Sequence, residues 1–509
     1  MKLKQLCSAA ALDCPREWED AEITAIVSNT AHACPGGLFV CIRGLRTDSH
    51  TLVGEAVQKG VTCIVVQEGC AVERIHGVLY LVAKDTRATL SDLCNAWYGD
   101  PVKQLKIIGV TGTNGKTTVT HMLRRILEAS FYKCGLIGTV GCESAGRHLE
   151  KQNGAPLSNM TTPDPEDLYR MLAEMVRDGV EYVLMEVTSH ALALGKLHPI
   201  HFEAAIFTNL TPDHLDFHGT MEAYADAKAI LFGQSRISIL HTDSDYTNVM
   251  RSRATGRVVT CTCHRRTADY AAEEITYRQE YGVHYRLTSP KSSLWLQCPV
   301  PGTFTVSNSM QAAICALELG IGSAKVQDAL ATMSGVKGRM ERLKLGMHAD
   351  FSVIVDYAHT PDALENLLQT VAGFKQKHQR TVLVFGCGGD RDQGKRPMMG
   401  RLASTLADEV IVTSDNSRSE DPMKIISQIC SGMAPQSECR VIPDRRQAIE
   451  YAILHAKAGD VILLAGKGHE EYEITREGRR PFSEKKIVQE ALAARLQGRK
   501  QTDSTETES

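Results

Sequence analysis

No apolar run in this 509-residue chain reaches the roughly 20 residues needed to cross a bilayer, so a membrane-spanning helix is not expected. An excess of one charge is missing as well. Lys and Arg total 57 against 60 Asp and Glu, a formal net charge of −3, and the two signs are mixed throughout. No basic face therefore argues for nucleic acid, and no polybasic cluster argues for a membrane surface. The opening residues lack the charged-then-apolar pattern of an export signal. Sixteen scattered cysteines, several in apolar runs (Cys41, Cys63, Cys315, Cys387), then fit a reduced cytoplasm better than a disulfide framework, as small buried hydrophobes. Cys261-Thr262-Cys263-His264 has no second ligand pair at finger spacing, so zinc is not expected there.

What is present begins with Gly112-Thr113-Asn114-Gly115-Lys116-Thr117-Thr118, which follows the apolar run Leu105–Val110 and precedes a helical pattern. Strand, glycine-rich loop and helix in that order make a P-loop. Its glycines let successive N–H groups turn toward phosphate, Lys116 can reach the outer phosphates, and Thr117 offers a hydroxyl to Mg²⁺. Val110 occupies the place of the first glycine of the longer consensus, so the match is to the shorter GxxGKT form.

At roughly 150 residues per domain the length suggests three domains. Apolar runs at 37–42 and 61–66 alternate with helical patterns in a small α/β domain that ends at the Tyr98-Gly99-Asp100-Pro101 break. Runs at 182–187 and 204–210 continue the alternation and place Glu186 and Asn209 at strand ends near the P-loop, where parallel sheets bind ligands. Shorter alternating stretches between about 236 and 300 predict an antiparallel excursion. After a junction at 335–340, runs at 351–356, 381–385, 409–413 and 460–464, each followed by a helical stretch, predict a doubly wound domain. The expected fold is α/β in three domains: 1–101, a central P-loop ATPase domain at 102–337, and a doubly wound Rossmann-like domain at 338–495. Residues 496–509 are expected as a disordered tail.

Further segments follow the loop: Ser158–Pro163, Met185–His190, Phe207–His218, Tyr224–Lys228, Asp356–Asp362, Gly386–Asp392, Asp415–Arg418 and Gly466–Glu470. In this order and spacing the chain resembles the Mur ligases of peptidoglycan synthesis from about residue 25 to 490. The resemblance implies a cytoplasmic, ADP-forming acid–amino-acid ligase of cell-wall biogenesis, taking part in cell shape and division, that acts as a monomer on small molecules. ATP phosphorylates a carboxylate to an acyl phosphate, an amine attacks the acyl carbon, and phosphate leaves. Because those transition states concentrate negative charge, cations and preorganised donors should dominate catalysis.

Residue by residue, the resemblance implies that Lys116, Glu186, His214 and Lys228 are catalytic. Thr117, Glu186, His214 and Lys228 would hold Mg²⁺, Lys228 as N6-carboxylysine formed with CO₂, since an ammonium would repel the metal. Besides residues 112–118, Asn308, Arg339 and Asp356 would contact adenine, phosphates and ribose, Arg339 being suited to bidentate pairing with phosphate oxygens. His359 is a weaker member of this group. Ser28, Thr161, Thr162, Thr188 and Lys196 would bind the UDP-muramoyl peptide; Val27 and Asn29 flank Ser28 where the family has Asp and Arg, Ser49 in Asp48-Ser49-His50 replaces glycine, and Lys196 replaces arginine. Leu194 stands where a glutamine usually binds, and a leucine takes over no such role.

Asp415, Asn416, Ser417 and Arg418 resemble the family's Asp-Asn-Pro-Arg signature, in which the arginine reads the distal carboxylate of meso-diaminopimelate; Ser417 replaces the proline. An enzyme choosing L-lysine would have no use for that arginine, whose cation would repel the terminal ammonium, so Arg418 argues for diaminopimelate. Arg391, Gly466 and Glu470 complete the set. The expected reaction is addition of meso-2,6-diaminopimelate to UDP-N-acetylmuramoyl-L-alanyl-D-glutamate. Alternatives are a ligase of the same family using L-lysine or another acceptor such as a folate polyglutamate, and a non-catalytic nucleotide-binding regulator.

Overall fold

The computed structural model describes residues 1–44, 47–150, 161–264, 267–277, 282–346 and 349–506. Residues 158–160 of the Ser158–Pro163 segment lie outside them. The chain divides into two compact units, Met1–Gly112 with Ile126–Thr208 and Ala225–Thr260, and Thr113–Arg125 with Asn209–Tyr224 and Cys261–Ser509. Among the described residues no helix is long and apolar enough to cross a membrane.

The first unit holds two sheets. Strands Ile26–Val27, Leu38–Val40, Cys63–Gln67 and Leu79–Ala83 form a parallel sheet in that order. Val27, Phe39, Ile64 and Val66 belong to the core on one of its faces. The second sheet runs, within this unit, Ile237–His241, Ala204–Phe207, Lys106–Thr111, Tyr182–Glu186, Cys134–Gly138, Gly141–Ser144 and Arg147–His148. Its first five strands are parallel, and Val110 lies opposite Glu186 in the register. Such strands are buried on both faces, which explains their unbroken apolar runs. In the first sheet Cys63, and Cys41 just after Leu38–Val40, are buried as small hydrophobes.

In the second unit, antiparallel strands Tyr270–Tyr277, Val283–Ser289 and Ser292–Cys298 precede helices Thr303–Glu318 and Ser323–Ala331. The antiparallel excursion is thus shorter than expected. Ile237–His241 pairs parallel with Ala204–Phe207 and leads to helix Thr247–Arg253, so the stretch after 236 begins as another parallel strand and helix. Five residues of apolar run carry too little period to tell the two strand types apart.

The six-stranded sheet runs Glu341–Arg342, Ser352–Asp356, Val461–Ala465, Thr381–Phe385, Glu409–Val412 and Cys439–Val441, parallel except at its first strand. Alternate residues feed two cores. Leu383, Phe385, Val410, Val412 and Leu463 meet helices Pro361–Phe374, Lys395–Leu406 and Pro422–Cys430. Val382, Val384, Ile411, Ile462 and Leu464 meet Arg445–Leu454 and Glu484–Glu506. A period of two with helices on both faces is the doubly wound arrangement. The last helix corrects the expected tail at 496–509, because it continues to Glu506. A lack of apolar residues removes packing, but Arg, Gln, Lys and Glu still propagate a helix already nucleated by its buried first turns.

Candidate active site

The P-loop lies between strand Lys106–Thr111 and helix Lys116–Ala129. Gly112 and Gly115 adopt φ of +147° and +87°, which an L side chain rarely takes, and this is why glycine stands at both. In the second unit Asn209 grips the loop from one side. Its carbonyl accepts from Thr113 N at 3.0 Å, its Oδ1 from Asn114 N at 3.0 Å, and its Nδ2 donates to Asn114 O at 3.2 Å. Lys116 Nζ donates to Thr113 O at 2.9 Å.

A cavity opens beside this loop. Asn114, Gly115 and Thr118 line it together with Asn308, Arg339 and Asp356, so the structure gathers the expected nucleotide residues of this unit around one space. Arg339 Nη2 donates to Thr117 Oγ1 at 3.0 Å, and its guanidinium carbon lies 4.7 Å from the centroid of the Tyr357 ring. Its buried Nε has no partner among the described residues, which leaves a donor suited to an anion. Burial pushes Asp356 above the usual carboxylate range against the pull of Arg339, while Met340 N and Ala358 N each donate to it at 2.7 Å. His359 donates through Nδ1 to Tyr357 O at 2.8 Å, and burial with the nearby Lys395 lowers its pKa to about 4.

His214 takes a left-handed backbone, φ +55°, at the start of helix Leu215–His218, and its ring is 3.4 Å from Asp213. Burial opposes ionisation of Asp213, yet His214, His359 and Lys395 hold it below the usual range. Of the four residues expected at Mg²⁺, Thr117 and His214 belong to the second unit and Glu186 and Lys228 to the first.

In the first unit Glu186 is 1% exposed at its strand's carboxyl end, held by Thr139 N and Thr139 Oγ1, both at 2.9 Å. Gly138 makes room for it, since a Cβ there would stand 2.3 Å from Glu186 Oε1. Lys228, 2% exposed, donates to Gly112 O at 3.0 Å. Thr161, Thr162 and Thr188 come together beside Glu186: Thr161 Oγ1 is 3.1 Å from Thr139 Oγ1, Thr162 Oγ1 donates to Glu186 O, and Thr188 Oγ1 is 3.2 Å from Thr162 Oγ1. Ser28 donates to the buried Glu166, and Lys196 pairs with Asp164 at 2.7 Å.

The third group sits where the strands of the six-stranded sheet end. Asn416 Nδ2 donates to Glu470 Oε2 at 2.8 Å, and its Oδ1 accepts from Lys467 Nζ at 3.1 Å. Burial opposes ionisation of Asp415, but Lys467 and Arg445 hold it below the usual range; burial and Asp415 push Glu470 up. Gly466, φ +114°, passes Asp415 so closely that a Cβ would lie 2.5 Å from Oδ2. Ser417 is buried within the Asp415–Arg418 loop. Arg418 Nη1 donates to Gly389 O at 2.7 Å. Arg391 is lowered by burial and by the neighbouring charge of Arg418, so the two guanidinium groups share one region.

Two family models match this chain: the Mur ligase middle domain at residues 110–316 and the Mur ligase, glutamate ligase domain at 338–468. The chain belongs to the Mur ligase family. Among relatives of this Mur ligase, a UDP-N-acetylmuramoyl-L-alanyl-D-glutamate--2,6-diaminopimelate ligase of Geobacillus thermodenitrificans (strain NG80-2) is 38% identical over 505 residues, 97% of this chain and 100% of the relative. One from Caldanaerobacter subterraneus subsp. tengcongensis, with the same name, is 39% identical over 484 residues, 93% of this chain and 95% of the relative. A solved structure of a ligase of that name superposes with a TM-score of 0.67 at 30% identity, covering 97% of this chain and 100% of that one.

The sequence reading of this Mur ligase passed over several residues. Asp362 and Asn366 line the nucleotide cavity, and Asp362 Oδ2 accepts from Asn114 Nδ2 at 2.6 Å. Asp362 stands two residues after Thr360, which caps helix Pro361–Phe374, and that cap could have marked it as a helix start facing a ligand. Lys467, fully buried between Asp415 and Glu470, lies inside the Gly466–Glu470 segment but was given no role there. Thr139 is found only through the fold.

Proposed function

We propose that this Mur ligase adds meso-2,6-diaminopimelate to UDP-N-acetylmuramoyl-L-alanyl-D-glutamate with ATP, through an acyl phosphate, releasing ADP and phosphate in peptidoglycan synthesis. The observation that carries the reading is the pair Arg391 and Arg418 on loops beside the carboxylates Asp415 and Glu470. Two guanidinium groups in one region repel unless an anion lies between them, and a carboxylate that burial pushes up, as at Glu470, is favoured by a nearby cation. An amino acid with both a distal carboxylate and a distal ammonium answers both halves. The name those relatives carry, matched over nearly the whole chain, agrees with that chemistry.

In this reading the ATP phosphates lie along residues 112–118, Arg339 and Lys116 offset their charge, Asp356 accepts from the ribose hydroxyls and Asn308 meets adenine. The acceptor carboxylate attacks the γ-phosphorus while Thr161, Thr162, Thr188, Lys196 and Ser28 hold the muramoyl peptide. The amine, freed of its proton, attacks the acyl carbon and expels phosphate. Glu186 and Thr117 each carry an oxygen donor of the kind Mg²⁺ takes, and a bound ion would offset charge on the transferring group. Lys228, at 2% exposure, is a costly place for an ammonium, and reaction of its amine with CO₂ would leave a carboxylate and a released proton. The proposal includes domains at 1–101, 102–337 and 338–495, a cytoplasmic location and a monomeric chain.

The test is ADP release by the purified protein, with the product weighed by mass spectrometry. Release that requires both UDP-N-acetylmuramoyl-L-alanyl-D-glutamate and diaminopimelate, with one new amide in the product, is the expected result. Equal turnover with L-lysine at low concentration would overturn the choice of amino acid.

A further inference from the structure

Two loops leave the carboxyl ends of neighbouring parallel strands, one after Thr381–Phe385 and the other after Glu409–Val412. The first carries Arg391 and the second Arg418. Neither loop is relaxed. Asp390 and Arg418 both adopt left-handed backbone, φ +53° and +51°, a conformation that non-glycine residues rarely take and that persists when its surroundings impose it.

Behind the loops lies an ion pair whose arginine is buried and whose glutamate is partly exposed. Arg396, on the first turn of helix Lys395–Leu406, is fully buried. It meets both oxygens of Glu420, Nη1 to Oε2 at 2.9 Å and Nη2 to Oε1 at 2.8 Å, and Nη2 also donates to Gly388 O at 3.1 Å. Glu420 lies two residues beyond Arg418 and also accepts from Asp390 N. The side chain of Asp390 returns the contact, accepting from Ser419 Oγ at 2.6 Å and Ser419 N at 3.2 Å. Each loop is therefore tied to the other by its own backbone and by a charge from the far side.

We propose that Arg396 and Glu420 are positioning residues for the incoming amino acid: the Arg396–Glu420 fork sets the spacing of the Arg391 and Arg418 loops and so the reading of the distal carboxylate. The inference rests on the function proposed above. A fork of two parallel hydrogen bonds fixes direction as well as distance, which a lysine ammonium does not do. Neither residue is assigned contact with substrate.

The test uses Glu420→Gln, which keeps the shape and removes the charge, and Arg396→Lys, which keeps the charge and removes the fork. Steady-state KM is measured for ATP, UDP-N-acetylmuramoyl-L-alanyl-D-glutamate and diaminopimelate, together with Tm. The expected result is a KM for diaminopimelate raised on the order of tenfold to a hundredfold in both variants, with the other two KM values within about twofold. The Arg396→Lys/Glu420→Gln double variant should be no worse than the poorer single one, because each single change already breaks the fork. Unchanged diaminopimelate KM in both folded variants, or equal rises in all three KM values, would overturn the inference alone. If Arg396→Lys does not fold, the Glu420→Gln values decide by the same criteria. Wild-type protein inactive with diaminopimelate would overturn the functional reading and this inference with it.

Discussion

Arg339 Nη2 donates to Thr117 Oγ1 at 3.0 Å, joining the guanidinium that walls the nucleotide cavity to the P-loop hydroxyl. The two residues are 222 positions apart in sequence. The contact puts the arginine on the P-loop, so in the proposed reading its removal should be felt in ATP use before it is felt in folding. Arg339→Lys keeps a charge but loses the planar group stacked on Tyr357, and kcat/KM for ATP should fall by about a hundredfold, read by coupled ADP release.

Gly138→Ala should act through Glu186. A methyl group 2.3 Å from Oε1 would displace the carboxylate that Thr139 holds in place. A drop of about a hundredfold in kcat, with Tm changed by only a few degrees, is expected from displacement at a reacting centre. Retention of full activity would remove Glu186 from the catalytic group.

Lys228→Ala should abolish most turnover, and added acetate or formate should restore part of it if the lysine works as a carboxylate. Activity is measured against carboxylate concentration in the variant and the wild type. A regulator without catalysis would show neither the loss nor the recovery.

His359 gives a pH signature. Burial and Lys395 lower its pKa from 6.5 to about 4, so between those values the unfolded chain binds a proton that the folded one does not. Stability therefore rises with pH across that window and is lost as pH falls through it, by on the order of 2 kcal/mol after screening at a partly exposed ring. Urea unfolding of the wild type and His359→Gln between pH 4 and 7 should show a shallower acid limb in the variant.

Arg418 should set the choice of amine. Wild-type kcat/KM for L-lysine is expected to be about a hundredfold or more below that for diaminopimelate, because an ammonium would face a guanidinium. Arg418→Ala should shrink that ratio mainly by weakening diaminopimelate, measured as the ratio of the two kcat/KM values.

Much of this was legible in the chain. The runs at 381–385 and 409–413 became strands within a residue, because a parallel strand buried on both faces needs an unbroken apolar run and little else supplies one. The placement of Lys116 and Thr117 at a helix start after a strand and loop, and of Glu186 at a strand's carboxyl end, was legible from the apolar runs that precede them. The partners that hold them were not. Thr139 meets Glu186 across 47 positions and Asp362 meets Asn114 across 248, and nothing local distinguishes such a threonine or aspartate from one at a solvated turn. The continuation of the last helix to Glu506 was missed because polarity was read as an argument against helix, when it argues only against burial.

Gly389 brings its loop so near the Asp415–Arg418 loop that a Cβ would lie 2.0 Å from Ser417 O. Evolution has no side chain to try at that position, and neither has an engineer. A library aimed at new amines would waste its diversity there, and the two strand-end loops can be retuned only by changing what stands behind them or at the tips of the side chains they carry.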